Sequence, residues 1–320
     1  EALPMASTTK IMTALLALEQ GDLTQLVTTG PNAFGVPGTS IYLAQGEQLT
    51  LEDMLYGLML SSGNDAAVAI AEHIGGTVPD FCRMMTERAA ALGCENTVFS
   101  TPHGLPTQNH HTTAYDLALI TRAALAMPSF RQIVSTQRAS IPWAGHDYGR
   151  VLTNKNKLLS SYPGAIGVKT GYTKAAGRCL AFAAEREGMT LIGVVLHCPD
   201  WFNQAAALLD WGFANYGLFE AEGVQNKTIP VTGGVRNSCA LTSEGFRAVL
   251  PKAQISAVRQ SILKPEAISA PVKTGDAVGS VSYTVEGRVI GQISLTAAEN
   301  VEKIGFFEIL GRVLARFLLV

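Results

Sequence analysis

The chain has 320 residues, 47% of them apolar and 16% charged, with a formal net charge of -2. That length suits one large domain or two ordinary ones, and the apolar share is enough to bury a sizeable core. The small net charge excludes a strong electrostatic footprint for nucleic acid or for a bulk acidic substrate.

The first residues, "EALPMASTTK", hold no basic stretch ahead of an apolar run, so no signal peptide is expected and a mature or truncated form is. "STTKIMTALLALEQG" has apolar residues at helical spacing and stops at Gly21. Thr50 and Asp53 form a capping pair ahead of the helical run "LEDMLYGLML". The turn "SSGND" separates that run from the helix "AAVAIAEHIGG". "PDFCRMMTERAAALG" carries Pro79 at a helix start and Gly93 past its end. "TTAYDLALITRAALAM" is a further amphipathic helix, closed by Pro128. After "VKTGYT", two apolar runs flank Gly188 and predict a buried hairpin, and "DWFNQAAALLDWGFANYG" predicts a helix stopped by Gly217. From about Glu220 the segments are short, turn-punctuated and rich in β formers, so a boundary falls near 218–222. The last segment, "GFFEILGRVLARFLLV", places Glu308, Arg312 and Arg316 on one helix face and apolar residues around the rest. It is too short and too charged to span a bilayer. An interfacial helix in a membrane surface and an ordinary docking helix both fit it.

Five cysteines, Cys82, Cys94, Cys179, Cys198 and Cys239, are scattered and odd in number. They predict free thiols rather than a disulfide framework or a zinc ribbon.

Three short motifs carry chemistry. Ser7 and Lys10 stand three apart at the start of a helix, so they share one face. A lysine whose pKa is lowered by burial or a second cation can take the serine proton, and free N–H groups at a helix N-terminus suit a developing oxyanion. An isolated Ser-x-x-Lys is more often a serine cap beside a surface lysine. Ser62, Gly63 and Asn64 sit in a turn that can project a hydroxyl and an amide into a cleft; a plain capping turn is the bland alternative. Lys169, Thr170 and Gly171 end a strand with a cation, a hydroxyl and a residue whose missing side chain admits a substrate backbone. A second Lys-Thr-Gly begins at Lys273. There Asp276 and Gly279 follow in a predicted turn, and the carboxylate opposes an anionic ligand, so this copy is read as turn chemistry.

Together the three motifs are far more specific: Ser62 follows Ser7 by 55 residues, and Lys169 follows Ser62 by 107. This order resembles that of the penicillin-binding proteins and class A β-lactamases. The chain resembles the low-molecular-weight penicillin-binding proteins, the serine D-Ala-D-Ala carboxypeptidases, over nearly its whole length. "ASTTKIMTALLALE", "LSSGNDAAVAIAE", "TPHGL", "TTAYDLALI", "VKTGYT" and "AAGRCLAFA" carry the resemblance. It implies an α+β fold. A DD-peptidase catalytic domain over 1–220, with an antiparallel sheet and a helical subdomain, is followed by a small β-sandwich-like domain over 221–300 and an amphipathic tail over 301–320.

The resemblance also implies roles. Ser7 is the nucleophile, Lys10 its general base, and Ser62 relays a proton to the leaving D-alanine. Asn64 holds the substrate amide. Lys169 and Thr170 receive the terminal carboxylate, Gly171 lies against the substrate backbone, and the N–H groups of Ser7 and Tyr172 form the oxyanion hole. No metal or other cofactor is implied. The implied partners are the peptidoglycan pentapeptide, β-lactam antibiotics as covalent inhibitors and, through residues 305–320, a membrane surface at the outer face of the bacterial cytoplasmic membrane; nucleic acid is not among them. His103, His110 and His111 are read as structural, because no GxSxG elbow presents another serine.

Three departures from the family pattern stand out. Only six residues precede Ser7, so the sheet is expected to lack strands that flank the site. "HCPDWFNQ" holds no arginine where many members carry one for the substrate carboxylate, and some members have histidine where Tyr172 stands. Two alternatives stand against the carboxypeptidase reading. A β-lactamase lacks support because no Glu-x-x-x-Asn lies between the second and third motifs. A non-catalytic wall-binding protein of the same fold is disfavoured by three intact motifs.

Overall fold

A computed structural model describes residues 1–318, apart from the side chains of Arg312 and of residues 315–318. The tail residues Arg312 and Arg316 named above therefore have side chains outside the described set. The chain divides into two compact units, Glu1–Ala214 and Asn215–Val320.

In the first unit a one-turn 3-10 helix, Ala6–Thr9, leads into α1 (Lys10–Gln20). The two-stranded pair β1 (Leu26–Thr28) and β2 (Gln48–Thr50) precedes α2 (Leu51–Tyr56). Thr50 caps α2 by accepting the Asp53 N–H at 3.1 Å, the predicted pair. A wide π turn, Gly57–Ser61, extends α2 to Ser62, and α3 (Asn64–Gly75) starts two residues on. Then come α4 (Val78–Ala91), α5 (Ala114–Leu125) and α6 (Pro128–Ser135). Pro128 does not merely end α5. It opens α6, where its fixed φ and missing N–H suit a first helical turn.

The hairpin β3 (Arg138–Ile141) and β4 (Arg150–Thr153) and the short α7 (Leu158–Ser161) lead to the antiparallel sheet β5 (Ala165–Thr173), β6 (Gly177–Arg186) and β7 (Met189–Val195), in that order. The helix α8 (Trp201–Asn215) follows. Ile11, Met12, Leu15, Leu55, Leu58, Phe81, Met85, Leu117, Ile120 and Phe130 are fully buried in one core, with α1 packed on α3 and α5, and α6 against β5. Each such side chain contributes roughly 1.5–3 kcal/mol by leaving water. With α5 and α6 over one side of the sheet, β5 remains a sheet edge.

The second unit is all β apart from one turn of helix and the tail. Its six-stranded sheet is antiparallel except for Ile268–Ser269, which runs parallel to Lys227–Thr232. A separate pair joins Tyr216–Ala221 to Phe246–Pro251. Tyr283 stacks on Phe246 at 4.4 Å in a core with Ile229, Val281 and Leu295. Residues 216–220 therefore belong to this unit, because their strand partner lies in it; the structural division falls at Ala214/Asn215 rather than at 220/221. At the other end Val301 and Lys303 still bridge to Val272 and Gly234, and the helix Phe306–Leu318 begins only after them.

The second Lys-Thr-Gly lies in this unit as an exposed turn. Asp276 accepts the Lys273 N–H at 2.7 Å, and Gly275 supplies the positive φ of +90°. Gly279, expected in that turn, instead lies at a register shift inside the strand Ala277–Val285. The five cysteines are free: Cys198 is half-buried and the other four are buried.

Candidate active site

The geometry of the site begins one residue before Ser7. Ala6 is held at φ +49°, a conformation non-glycine residues adopt at a cost. Thr8 Oγ1 donates to the Met5 carbonyl at 2.6 Å, and Thr9 Oγ1 donates to the Ala6 carbonyl at 2.8 Å. Behind Thr9 sits His110. Its Nδ1 accepts the Ser100 N–H at 3.1 Å, so Nε2 carries the proton and donates to Thr9 Oγ1 at 2.7 Å. Burial, then the nearby His111, pulls His110 down to about 4, which keeps it neutral. His103 is likewise neutral, pulled down to about 3 by burial and then by Lys10 and His110. These histidines brace loops; neither ring touches Ser7.

Lys10 is fully buried on the first turn of α1. Its Nζ donates to Ser7 Oγ at 3.1 Å, to Asn64 Oδ1 at 2.7 Å and to the His103 carbonyl at 2.8 Å. Burial pushes its pKa well below the lysine value; Lys169 and then Lys155 add to that, and Asp65 opposes it. Asn64, on the first turn of α3, also donates to the Pro37 carbonyl at 2.6 Å, so it stands behind Lys10 and ties it to the 37–43 loop. Asp65 holds the same loop. Its carboxylate accepts from Ser40 Oγ at 2.5 Å and from the N–H groups of Ile41 and Leu43 at 3.0–3.1 Å. Ser62 is buried in the left-handed conformation at φ +67°, which turns the chain between the π turn and α3.

The opposite wall is β5. Ser7, Ser62, Thr170, Gly171 and Tyr172 line one cleft of about 510 Å³ with Thr39, Lys155, Lys157, Arg178, Trp201 and Phe202. Gly171 permits the close approach of strand and turn: a Cβ there would lie 2.8 Å from the Ser7 nitrogen and 3.0 Å from that of Thr8. Lys169 lies beneath this wall, almost fully buried, with Nζ donating to the Thr170 carbonyl at 3.2 Å. Burial, then Lys155, brings its pKa down to about 7.

All eight expected residues thus converge on one region, in two layers. Ser7, Ser62, Thr170, Gly171 and Tyr172 face the cleft, and Lys10, Asn64 and Lys169 stand behind them. Sequence reasoning missed Lys155, whose charge bears on both buried lysines; its only signal was the basic run "NKNK" ahead of the Lys-Thr-Gly strand. It also missed the loop-holding role of Asp65, next to Asn64.

A serine hydroxyl bonded to a desolvated lysine beside the edge of an antiparallel sheet defines a serine acyl-transfer enzyme of the penicillin-binding class. Comparison with known proteins agrees. Residues 1–200 match the model of the D-alanyl-D-alanine carboxypeptidase family, and residues 216–303 match the C-terminal domain of penicillin-binding protein 5. The chain belongs to this family of serine D-alanyl-D-alanine carboxypeptidases. It is 34% identical to the D-alanyl-D-alanine carboxypeptidase DacF of Bacillus subtilis, covering 98% of this chain and 83% of that protein. It is 32% identical to DacC of Escherichia coli, covering 96% and 80%. Penicillin-binding protein 5 from Haemophilus influenzae superposes with a TM-score of 0.75 at 31% identity, over 95% of this chain and 92% of that one.

Proposed function

We propose that the chain removes the terminal D-alanine from peptidoglycan stem pentapeptides through an acyl-enzyme on Ser7. The observation that carries this is the 3.1 Å contact between Lys10 Nζ and Ser7 Oγ, with the lysine desolvated. Neutral Lys10 takes the hydroxyl proton as Ser7 attacks the penultimate D-alanine carbonyl. The N–H groups of Ser7 and Tyr172 bind the resulting oxyanion, a donor pair of which each member is typically worth ~10²–10³ in rate. Ser62 passes a proton to the departing D-alanine nitrogen. Asn64 keeps Lys10 aimed at Ser7 and helps hold the substrate amide. The peptide lies along the free edge of β5, against Gly171. Its carboxylate rests at Thr170 over the positive potential of Lys169. Water then hydrolyses the acyl-enzyme. A β-lactam enters the same cleft and acylates the same oxygen.

The proposed setting is the outer face of the bacterial cytoplasmic membrane. Among the described residues no helix is long and apolar enough to cross a membrane. The helix Phe306–Leu318 would lie in the membrane surface.

Incubation of the protein and of Ser7→Ala with a fluorescent penicillin tests the reading. Covalent label on the parent and none on the variant is expected, together with D-alanine release from a pentapeptide by the parent alone. Absence of label on a folded parent would move the non-catalytic wall-binding alternative ahead.

A further inference from the structure

Outside the cleft, the loop that joins β3 to β4 carries a cluster of aromatic rings that the roles above leave unused. Trp143 and His146 stack with ring centres 4.3 Å apart, and Tyr148 stands edge-on to them at 5.8 and 5.1 Å. Trp143 is half-buried, His146 is exposed and Tyr148 is 63% exposed. His146 Nδ1 donates to the Ala144 carbonyl at 3.1 Å, which leaves the Nε2 lone pair as an acceptor. A fourth ring, Tyr42, is 77% exposed and stands at φ +61°, a left-handed conformation that a bulky residue adopts at a cost.

One buried side chain joins the two segments. Arg150 Cζ lies 5.2 Å from the centre of the Trp143 ring, and its Nη2 donates to the Tyr42 carbonyl at 3.3 Å and to Glu47 at 2.9 Å. Tyr42 belongs to the 37–43 loop that Asn64 and Asp65 hold, and Thr39 of the same loop lines the cleft. Three steps of chain reach at most about 11 Å, so Tyr42 stands within that distance of Thr39. The four stem residues ahead of the scissile bond span at most about 14 Å. The two lengths match, so a sugar at the head of the stem comes within reach of these rings while the peptide occupies the cleft.

We propose that Tyr42, His146 and Tyr148, braced by Trp143, form a subsite for the glycan strand to which the stem peptide is attached. The ligand class is the N-acetylated hexosamine. The C–H face of a pyranose packs on an exposed aromatic ring, and its hydroxyls meet His146 Nε2 and the exposed Asp147. This rests on the peptidase reading above and extends it from the peptide to the sugar. The loop 142–149 holds no leucine, isoleucine, valine, lysine or arginine, so it lacks the apolar anchors and cations that hold a lipid surface.

The test compares the parent, Tyr148→Ala and Tyr42→Asn on a stem pentapeptide and on the same pentapeptide carried by its disaccharide. Asparagine suits position 42 because it tolerates the left-handed conformation. A ring face covered by a sugar is worth about 5- to 20-fold. The parent should favour the glycosylated peptide by that factor in kcat/KM, mainly through KM. Each variant should lose most of the preference and melt with the parent, because both rings are exposed. On the free pentapeptide Tyr148→Ala should change by about twofold or less. A parent without the preference, or variants that keep it, would overturn the subsite while leaving the peptidase reading intact. Weaker binding of the variants to lipid vesicles, with the preference unchanged, would assign the rings to a membrane and overturn it likewise. A parent that releases D-alanine from neither substrate would overturn the peptidase reading and this one with it.

Discussion

Gly171 on β5 and Ser7 on the catalytic turn approach so closely that a Cβ on the glycine would lie 2.8 Å from the serine amide nitrogen. Strand and turn are therefore one device: the strand edge proposed to receive the peptide also sets the position of Ser7. Gly171→Ala should push the turn from the strand by a few tenths of an ångström. A misplacement of about 1 Å can cost ~10²-fold, so a shift of a few tenths should slow acylation by a smaller factor, on the order of several-fold. The check is the penicillin acylation rate, with the melting curve measured alongside. A variant that acylates at the parent rate would mean the turn gives way freely.

Lys10 connects the Ser7 hydroxyl to Asn64 and the His103 carbonyl. Lys10→Gln keeps a hydrogen-bonding group there but removes the base. General-base catalysis contributes typically ~10²–10⁴-fold, and acylation by penicillin should fall by that much. Stopped-flow measurement of acylation checks this. A loss under about tenfold would transfer the base role to another group.

The stability of the protein should rise with pH between 7 and 9. Lys169 holds its proton only up to about 7 in the fold, against 10.5 for an ordinary lysine, and Lys10 is lowered in the same direction. The unfolded chain thus binds more protons across this window, and stability climbs by ~1.4 kcal/mol per pH unit for each proton of difference. Above pH 9 the trend is opposed. Burial pushes the Cys82 and Cys94 thiols up to about 11 from 9.0, so the fold there retains protons that the unfolded chain sheds. Urea midpoints at pH 7, 8 and 9 check the slope, and Lys169→Met should flatten it.

The legible part of this site was the part carried by short strings. Ser7 with Lys10, Ser62 with Asn64, and Lys169 through Gly171 each lie within four residues of one another, and their chemistry admits few residue types. The illegible part depends on register and packing. Arg178 shares a face with Thr170 only because the β5–β6 turn pairs Thr173 with Gly177. Lys155 looks like Lys157 in sequence, and only its position in the fold makes its charge felt by Lys10 and Lys169. Pro128 reads in sequence as a helix end, yet the same residue that stops one helix can open the next. In the second unit the strand Arg259–Leu263 is exposed along its whole length, so no alternation marked it.

Glu47 and Arg150 form an ion pair at 2.9 Å, with side chains only 1% and 5% exposed. The pair joins the loop before β2 to β4, and the same carboxylate accepts the Ala44 N–H at 2.8 Å. Removing one partner leaves the other charge buried, at a typical cost of about 3–5 kcal/mol. Glu47→Gln should lower the urea midpoint accordingly. Replacing both residues with apolar ones of similar volume should recover much of the loss, and a double-mutant cycle measures the coupling.

The tail presents a different balance of forces. Phe306 and Phe307 are 72% and 84% exposed, and Ile309, Leu310, Val313 and Leu314 are exposed as well. A helix that leaves these side chains in water gains by burying them in the headgroup boundary of a bilayer, and its arginines favour anionic lipid. Deleting residues 305–320 should move the protein from the pellet to the supernatant when it is sedimented with vesicles of mixed phosphatidylethanolamine and phosphatidylglycerol. Penicillin labelling should be unaffected, because every residue of the cleft lies in the first unit. Retention of the truncated protein on the vesicles would show that the membrane contact lies elsewhere. Loss of both sedimentation and labelling would show that the deletion damages the fold.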